Sequence, residues 1–362
     1  MKRFSFSAPA LLLVAAFASA DEGNPKLKSI EAIRFAPKGV LIIGGGSEVV
    51  TVETGDTKET TWKDAKVENI DEAIAGKLGL KAKDIEIRRI AVNPASKKLY
   101  AAVRSLKTNQ YVILTIDDAG KVEEFSLDNV KYQRYPLAVK EKAVTKITDV
   151  VFAGGRIVAA TQASDTFASR VFTIVPGKAP SQFFTETFHT GHNAVETKAP
   201  ILCLMAYEDG PKTNIVGSFT CTPLVKYPID DVEPDVKVKG TTVVELGKGN
   251  QPRSMFSYEK EGKKYILVNV LRIFPIGGEV GPSKNWVAKV DHELLKETVN
   301  VDAKALWRVD PKGKASVSVT DRAVVAKDYF GVQFMDQLDS GRAVVIQDVD
   351  GKSKRLAVIA LP

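Results

Sequence analysis

The sequence predicts an all-β fold, a β-propeller with six blades favoured and seven as the alternative. Three observations lead there. Short apolar strands follow one another with turn signals between them, and no regular strand–helix alternation appears. The strand pattern returns at a spacing of about 50 residues, the period of a four-stranded blade. The hydrophobic content of 44% is enough for a large core.

The first unit, Ile30 to Asp56, shows the pattern. One apolar strand ends at Ala36-Pro37-Lys38-Gly39, "VLIIG" follows, Gly44 to Gly46 read as a turn, and "EVVTVET" alternates. Related units are centred on Val92, Val151, Leu204 and Phe256, with gaps of 57, 59, 53 and 52 residues counted from Phe35. The next centre, Val332, lies 76 residues on, and "ALWRVDPKGKASVSV" within that gap is a candidate for an extra blade. Each blade has two apolar faces, and only a ring of neighbours covers both. The last strand, "RLAVIALP", is expected to close the ring against N-terminal strands. A pair of β-sandwiches is the competing fold, but it predicts no regular period.

One segment breaks the β pattern. "NIDEAIAGKLGLKAKDIEI" places Ile70, Ile74 and Leu78 on one helical face, with Asn69 or Asp71 as cap and Gly79 as stop. A short helix inserted around residues 70–79 follows, covering apolar surface.

The N-terminus has the three-part layout of a secretory signal peptide: Lys2 and Arg3, the apolar run Ala8–Phe17, and Ala18-Ser19-Ala20 before Asp21. The run is about half the ~20 residues a membrane helix needs. The expected organisation is therefore a signal peptide over 1–20 and one propeller domain over 21–362. That makes the protein exported, periplasmic or extracellular, with no membrane span and monomeric. The formal charge of +7 falls to +5 once Lys2 and Arg3 are removed. The lysines are scattered, without the basic stripe and interleaved aromatics of a nucleic-acid binder.

In an oxidising compartment the two cysteines, Cys203 and Cys221, become disulfide candidates. "DGPKT" (Asp209 to Thr213) reads as a turn between two strands, and folding about Lys212 sets the cysteines opposite each other, within bridging distance. A register slip would leave two buried thiols instead.

Several stretches are similar to a group of exported bacterial propeller-like proteins. Among them are "AKDIEIRRIAVNPASKKLYAAV", Thr220 to Val225 with the later Glu245-Leu246-Gly247, and the terminal "IALP". The phrases "AVNP" and "YAAV" also resemble the wider YVTN and WD40-like propellers. The resemblance implies the fold and export, and supplies no catalytic residues.

The densest group of potential ligands is "FHTGHNAVETKAP". It holds two of the chain's three histidines, His189 and His192, with Glu196 four residues on. A turn over His189-Thr190-Gly191-His192, with Gly191 at positive φ, would let both imidazoles and Glu196 reach one zinc or copper ion. The plain alternative is a solvent-exposed polar loop. Asn250 and Arg253, in "LGKGNQPRSM", are further ligand candidates. Arg253 is suited to an anion, or else to a salt bridge with a neighbouring carboxylate. "GGGSE" lacks the pattern of a phosphate loop, and "DVDG" and "DDAG" lack the remaining positions of a calcium loop. No catalytic grouping of Ser, His and Asp stands out. The sequence thus supports a propeller scaffold binding a partner or small ligand on its loop face or in its channel. The alternative is a propeller enzyme, quinoprotein- or lactonase-like, with a metal or cofactor at the channel mouth.

Overall fold

The structure is a computed structural model that describes residues 20–64, 66–137, 144–164, 167–190, 193–220, 223–247, 249–273, 281–301 and 322–362. Six sheets form the blades of a propeller, antiparallel throughout except where Lys237–Lys239 pairs in parallel with Ser181–His189 of the third blade. Numbered by the chain order of their innermost strands, these begin with Ala32–Ala36, Ile85–Val92, Lys146–Ala153, Ile201–Asp209, Asn250–Lys260 and Val332–Gln337. Every repeat centre read from the sequence lies on one of these inner strands.

Apolar residues alternate towards both faces of each blade, so each seam between blades becomes a hydrophobic cluster. Six clusters fill six seams, and they fix the ring order as one, three, four, five, six, two and back to one. The first two blades are therefore transposed: blade one lies between blades two and three, and blade two lies beside blade six. Ile33, Leu41 and Val52 of blade one pack on Tyr100 and Ile113 of blade two. On the other face of blade one, Ala32, Ile42 and Val49 meet Ile147 and Phe172 of blade three.

Two returning segments latch this arrangement. Val130–Pro136, reached after blade two is complete, pairs with Glu48–Glu53 of blade one. Asp21–Gly23 then adds to its outer edge, which makes blade one five-stranded. Lys66–Val67 supplies the fourth strand of blade six by pairing with Lys354–Ala360, so the last strand does close against an early segment. The ring closes with six blades. The 76-residue gap arises inside blade five, whose third strand, Asn285–Asp291, pairs with a fourth that starts only at Ala323. The suggested extra-blade segment, 305–319, lies outside the described residues.

The helix runs Ile70–Lys77. Gly79, at φ 65°, ends it: the amide of Leu80 donates to the carbonyl of Ala75, and that of Gly79 to Gly76. Asn69 sits at the start with left-handed backbone and no side-chain cap, and Asp71 is turned instead to the amide of Lys354 at 3.2 Å. Ile70, Ile74 and Ala75 cover the apolar seam between blades two and six.

The "GGG" turn is narrower than expected. Gly44 and Gly45 belong to the strand Val40–Gly45, and only Gly46-Ser47 turn the chain. Gly45 is required because a Cβ there would stand 2.0 Å from the carbonyl oxygen of Ser29. The "DVDG" and "DDAG" stretches are hairpin turns, with Asp348 accepting from the amide of Gly351 and Asp117 from that of Ala119.

The hairpin about the first cysteine needs a correction. Its turn is Gly210-Pro211, not Lys212, because Asp209 pairs with Lys212 directly. Cys203 therefore faces Ser218, three residues short of the expected partner. A bulge between Ile201 and Cys203 shifts the register again. Cys203 is a fully buried thiol whose pKa burial pushes up, with Asp149 adding to the push. Cys221 lies outside the described residues.

Candidate functional site

The inner strands converge on the ring axis, and there the chain places charge. Each of five inner strands carries a β-bulge near its N-terminal end, at Arg88, Thr148, Leu202, Arg253 and Gln333. Glu31 stands at the matching place before the first inner strand. A bulge breaks the alternation and re-aims side chains. Here it turns polar groups inward at one end of the ring.

Beyond the bulges the axis is filled. The Arg34 guanidinium lies 3.5 Å from Asp336 and 3.8 Å from Asp149, and reaches the carbonyl of Met255 at 3.5 Å. Asp149 also accepts the amide of Leu204 at 2.8 Å, and Asp336 that of Val92 at 2.8 Å. Each aspartate thus ties its own blade to the next. Burial works against the Arg34 charge, but the two carboxylates outweigh it and raise its pKa. Burial pushes the Asp336 carboxyl up, although Arg34 and the amides of Val92 and Gln337 pull it back. Nearer the mouth, Arg89 crosses the axis and donates to three carbonyls on three other blades: Thr148 at 3.0 Å, Leu202 at 3.2 Å, and Arg253.

Above Arg89 opens a cup of about 210 Å³, and all six blades line it. Glu31 comes from blade one, Arg88 and Arg89 from two, Thr148 from three, Leu202 from four, Arg253 from five and Phe334 from six. Its carboxylates are already engaged. Arg88 bridges Glu31 and Glu86, the latter at 2.6 Å, and Arg104 also approaches Glu86 at 3.5 Å. Arg253 differs: among the described residues its guanidinium makes no ion pair and its buried Nε has no hydrogen-bond partner. Burial lowers its pKa, and Arg89 and Arg88 lower it further, against a smaller opposing pull from Glu86. The expected salt bridge of Arg253 to a neighbouring carboxylate is thus not what the described residues form.

Asn250, three residues earlier, has another role. It is fully buried, donates to the carbonyls of Leu246 at 2.9 Å and Gly247 at 3.3 Å, and accepts from the Trp286 indole at 3.3 Å. Its amide is used in building the turn before the inner strand of blade five.

The histidine stretch lies far from the axis, on the outer strands of blade three. His189 ends the strand Ser181–His189, and Glu196 ends the short strand Ala194–Glu196 paired with it. Their side chains approach to 3.7 Å. His189 is 1% exposed and sits edge-on to Phe219 at 5.8 Å, so the expectation of a solvent-exposed loop fails for this residue. The amide of Asn193 donates to the carbonyl of Thr190 at 3.2 Å, and Asn193 carries a positive φ of 50°. Gly191 and His192 lie outside the described residues. Among the described residues, no three His, Cys, Asp or Glu side chains are grouped to hold a metal ion.

The mouth residues Glu31, Arg88, Arg89 and Thr148, and the axis residues Arg34, Asp149 and Asp336, were not singled out by sequence reasoning. A signal was present: each inner strand carries one to three charged residues among largely apolar ones, and "IRRI" places two arginines in succession where alternation demands one polar residue.

No family model matches the chain, and no curated protein does. Solved structures with a similar fold exist. The extracellular domains 1–2 of Drosophila Semaphorin 1b are 10% identical, with 96% of this chain and 87% of that one covered at a TM-score of 0.42. A GH43 endo-arabinanase from Bacillus licheniformis is 10% identical, covering 75% of this chain and 93% of that one at 0.39. The Malassezia sympodialis allergen Mala s 1 is 8% identical, covering 94% and 96% at 0.38. At such scores the likeness assigns no activity, and the fold rests on the six sheets themselves. Among the described residues no helix is long and apolar enough to cross a membrane.

Proposed function

We propose that the protein is an exported propeller scaffold that holds a small ligand in the mouth of its ring. One observation carries this reading: all six blades contribute to a single cup whose floor, Arg89, is bonded to three of them. Such a site is rigid, because every wall belongs to a different sheet of one closed ring. Its volume is below the ~300 Å³ of pockets for drug-sized ligands, which favours a small molecule over a bulky cofactor. The enzyme reading draws on acidic and histidine side chains converging on the axis. The described residues gather arginines there beside carboxylates already engaged in ion pairs, and His189 stands on the outer strands of blade three.

The test is to fill the cup. Gln251→Trp places an indole in the mouth while leaving the axis intact. Thermal-shift screening of a mixed library of small metabolites against both proteins should yield compounds that stabilise the parent and not the variant. Compounds that act equally on both would place binding elsewhere. Export is checked separately, by N-terminal sequencing from the exported fraction, which should begin at Asp21. Thiol titration in non-reducing denaturant should find Cys203 free, as its register opposite Ser218 implies.

A further inference from the structure

The geometry points to a small anion, a carboxylate or a phosphate, as the ligand of the mouth, with the Arg253 guanidinium as its receptor and Thr148 Oγ1 beside it. This rests on the reading of the mouth as a ligand site and adds the chemistry of what enters.

Four buried polar atoms around the cup have no hydrogen-bond partner among the described residues: Arg88 Nε, Arg89 Nε, Thr148 Oγ1 and Arg253 Nε. A buried polar group without a partner costs ~1–3 kcal/mol, and more when charged. Three of these atoms donate only, and the Thr148 hydroxyl can donate as well. A group that satisfies them must offer acceptors.

Charge points the same way. Arg88, Arg89, Arg253 and Lys146 line the cup against Glu31 and Glu86. Both glutamates are held by Arg88. Arg89 is bonded to carbonyls, which carry only partial charge. Arg253 has neither kind of partner. A guanidinium offers a planar fork that matches two oxygens of a carboxylate or a phosphate. An incoming anion would therefore gain two parallel charge-assisted bonds from a residue whose desolvation is already part of the fold. Neutral Gln251 at the rim can accept or donate to the rest of a small molecule.

The probes are inorganic phosphate and succinate, titrated calorimetrically into the full chain at low ionic strength, with Arg253→Gln and Arg253→Lys alongside. At least one anion should saturate at one equivalent. Hydrogen bonds to charged groups are worth about 1.5–3 kcal/mol, so Arg253→Gln should weaken binding at least about tenfold, and Arg253→Lys should weaken it less. Binding of phosphate alone assigns a phosphorylated ligand, and binding of succinate alone assigns a carboxylic acid. A merely structural arginine would show itself as a lowered melting temperature in Arg253→Gln with unchanged anion affinity, and that overturns the inference. So does the absence of binding by either anion. The two levels fail differently: neutral sugars or polyols that bind the parent but not Gln251→Trp would keep the mouth and remove the anion. A library with no compound sensitive to Gln251→Trp removes both.

Discussion

Arg34 at the ring axis and Arg253 at the ring mouth lie on inner strands of the same ring and meet opposite treatment. Arg34 is flanked by two carboxylates, each also bound to the backbone of a neighbouring blade. Arg253 is partly buried beside two other arginines and, among the described residues, forms no ion pair, with Glu86 opposing the effect of burial and the two arginines only weakly. A buried charge with complete partners holds blades together, whereas one without them weakens the fold. Such a residue is expected where the missing partner arrives from outside. The contrast separates a structural centre from a receiving surface, and substitutions can break it.

The largest effect belongs to the axis. Asp149→Ala removes one of the two carboxylates facing Arg34 and leaves the amide of Leu204 buried without its acceptor. Breaking a buried pair in this way costs about 3–5 kcal/mol, which urea unfolding should register. A loss under about 1 kcal/mol would mean that the axis is not what binds the ring. Arg89→Met comes next: it strips a donor from three carbonyls on three blades. The loss should be about 2 kcal/mol, on the scale of one or two charge-assisted bonds, with a mouth that no longer excludes solvent from the axis.

The third test uses pH. Asp336 has its pKa raised by burial. The folded chain then holds this proton more tightly than the unfolded one. Its contribution to stability therefore falls as pH rises from the ordinary aspartate value of about 3.9 through the raised one. Asp336→Asn lacks that titration, so the stability of the parent relative to the variant should shrink across this window. A difference that grows with pH would show Arg34 dominating Asp336 outright. The smallest effect is expected for Arg253→Gln in the absence of ligand. It should lie within about ±0.5 kcal/mol of the parent or slightly above it, since a charge without a partner is removed. A large loss would place Arg253 with Arg34 and dissolve the contrast.

The architecture was readable because a blade repeats its own strand pattern, and Phe35, Val92, Val151, Leu204, Phe256 and Val332 all fall on inner strands. The ring order was not readable. It depends on where Lys66–Val67 and Val130–Pro136 pair, and neither segment carries a period that names its partner. The cysteine register slipped because a turn of only two residues, Gly210-Pro211, replaced the five-residue span suggested by composition. At the mouth, Arg253 was legible as an anion candidate from its residue type. That glutamates close by would be taken by Arg88 instead was a matter of packing, which one sequence does not display.

The transposition of the first two blades has a consequence for how the chain is made. Synthesis delivers residues from the N-terminus onward, and domains usually fold as units while they emerge. Here blade one meets one neighbour early, but it receives Val130–Pro136 only after all of blade two has been produced. Lys66–Val67 must wait for Lys354–Ala360, almost the whole length of the polypeptide. Until blade six exists, the apolar faces of blades two and five, with Ile87, Val103 and Leu114 on one and Phe256, Leu267 and Val287 on the other, have no cover. A nascent or prematurely ended chain thus carries two distant sticky surfaces, whereas the finished ring hides both in a single closing event. Completeness of translation is in this sense checked by the geometry of the ring.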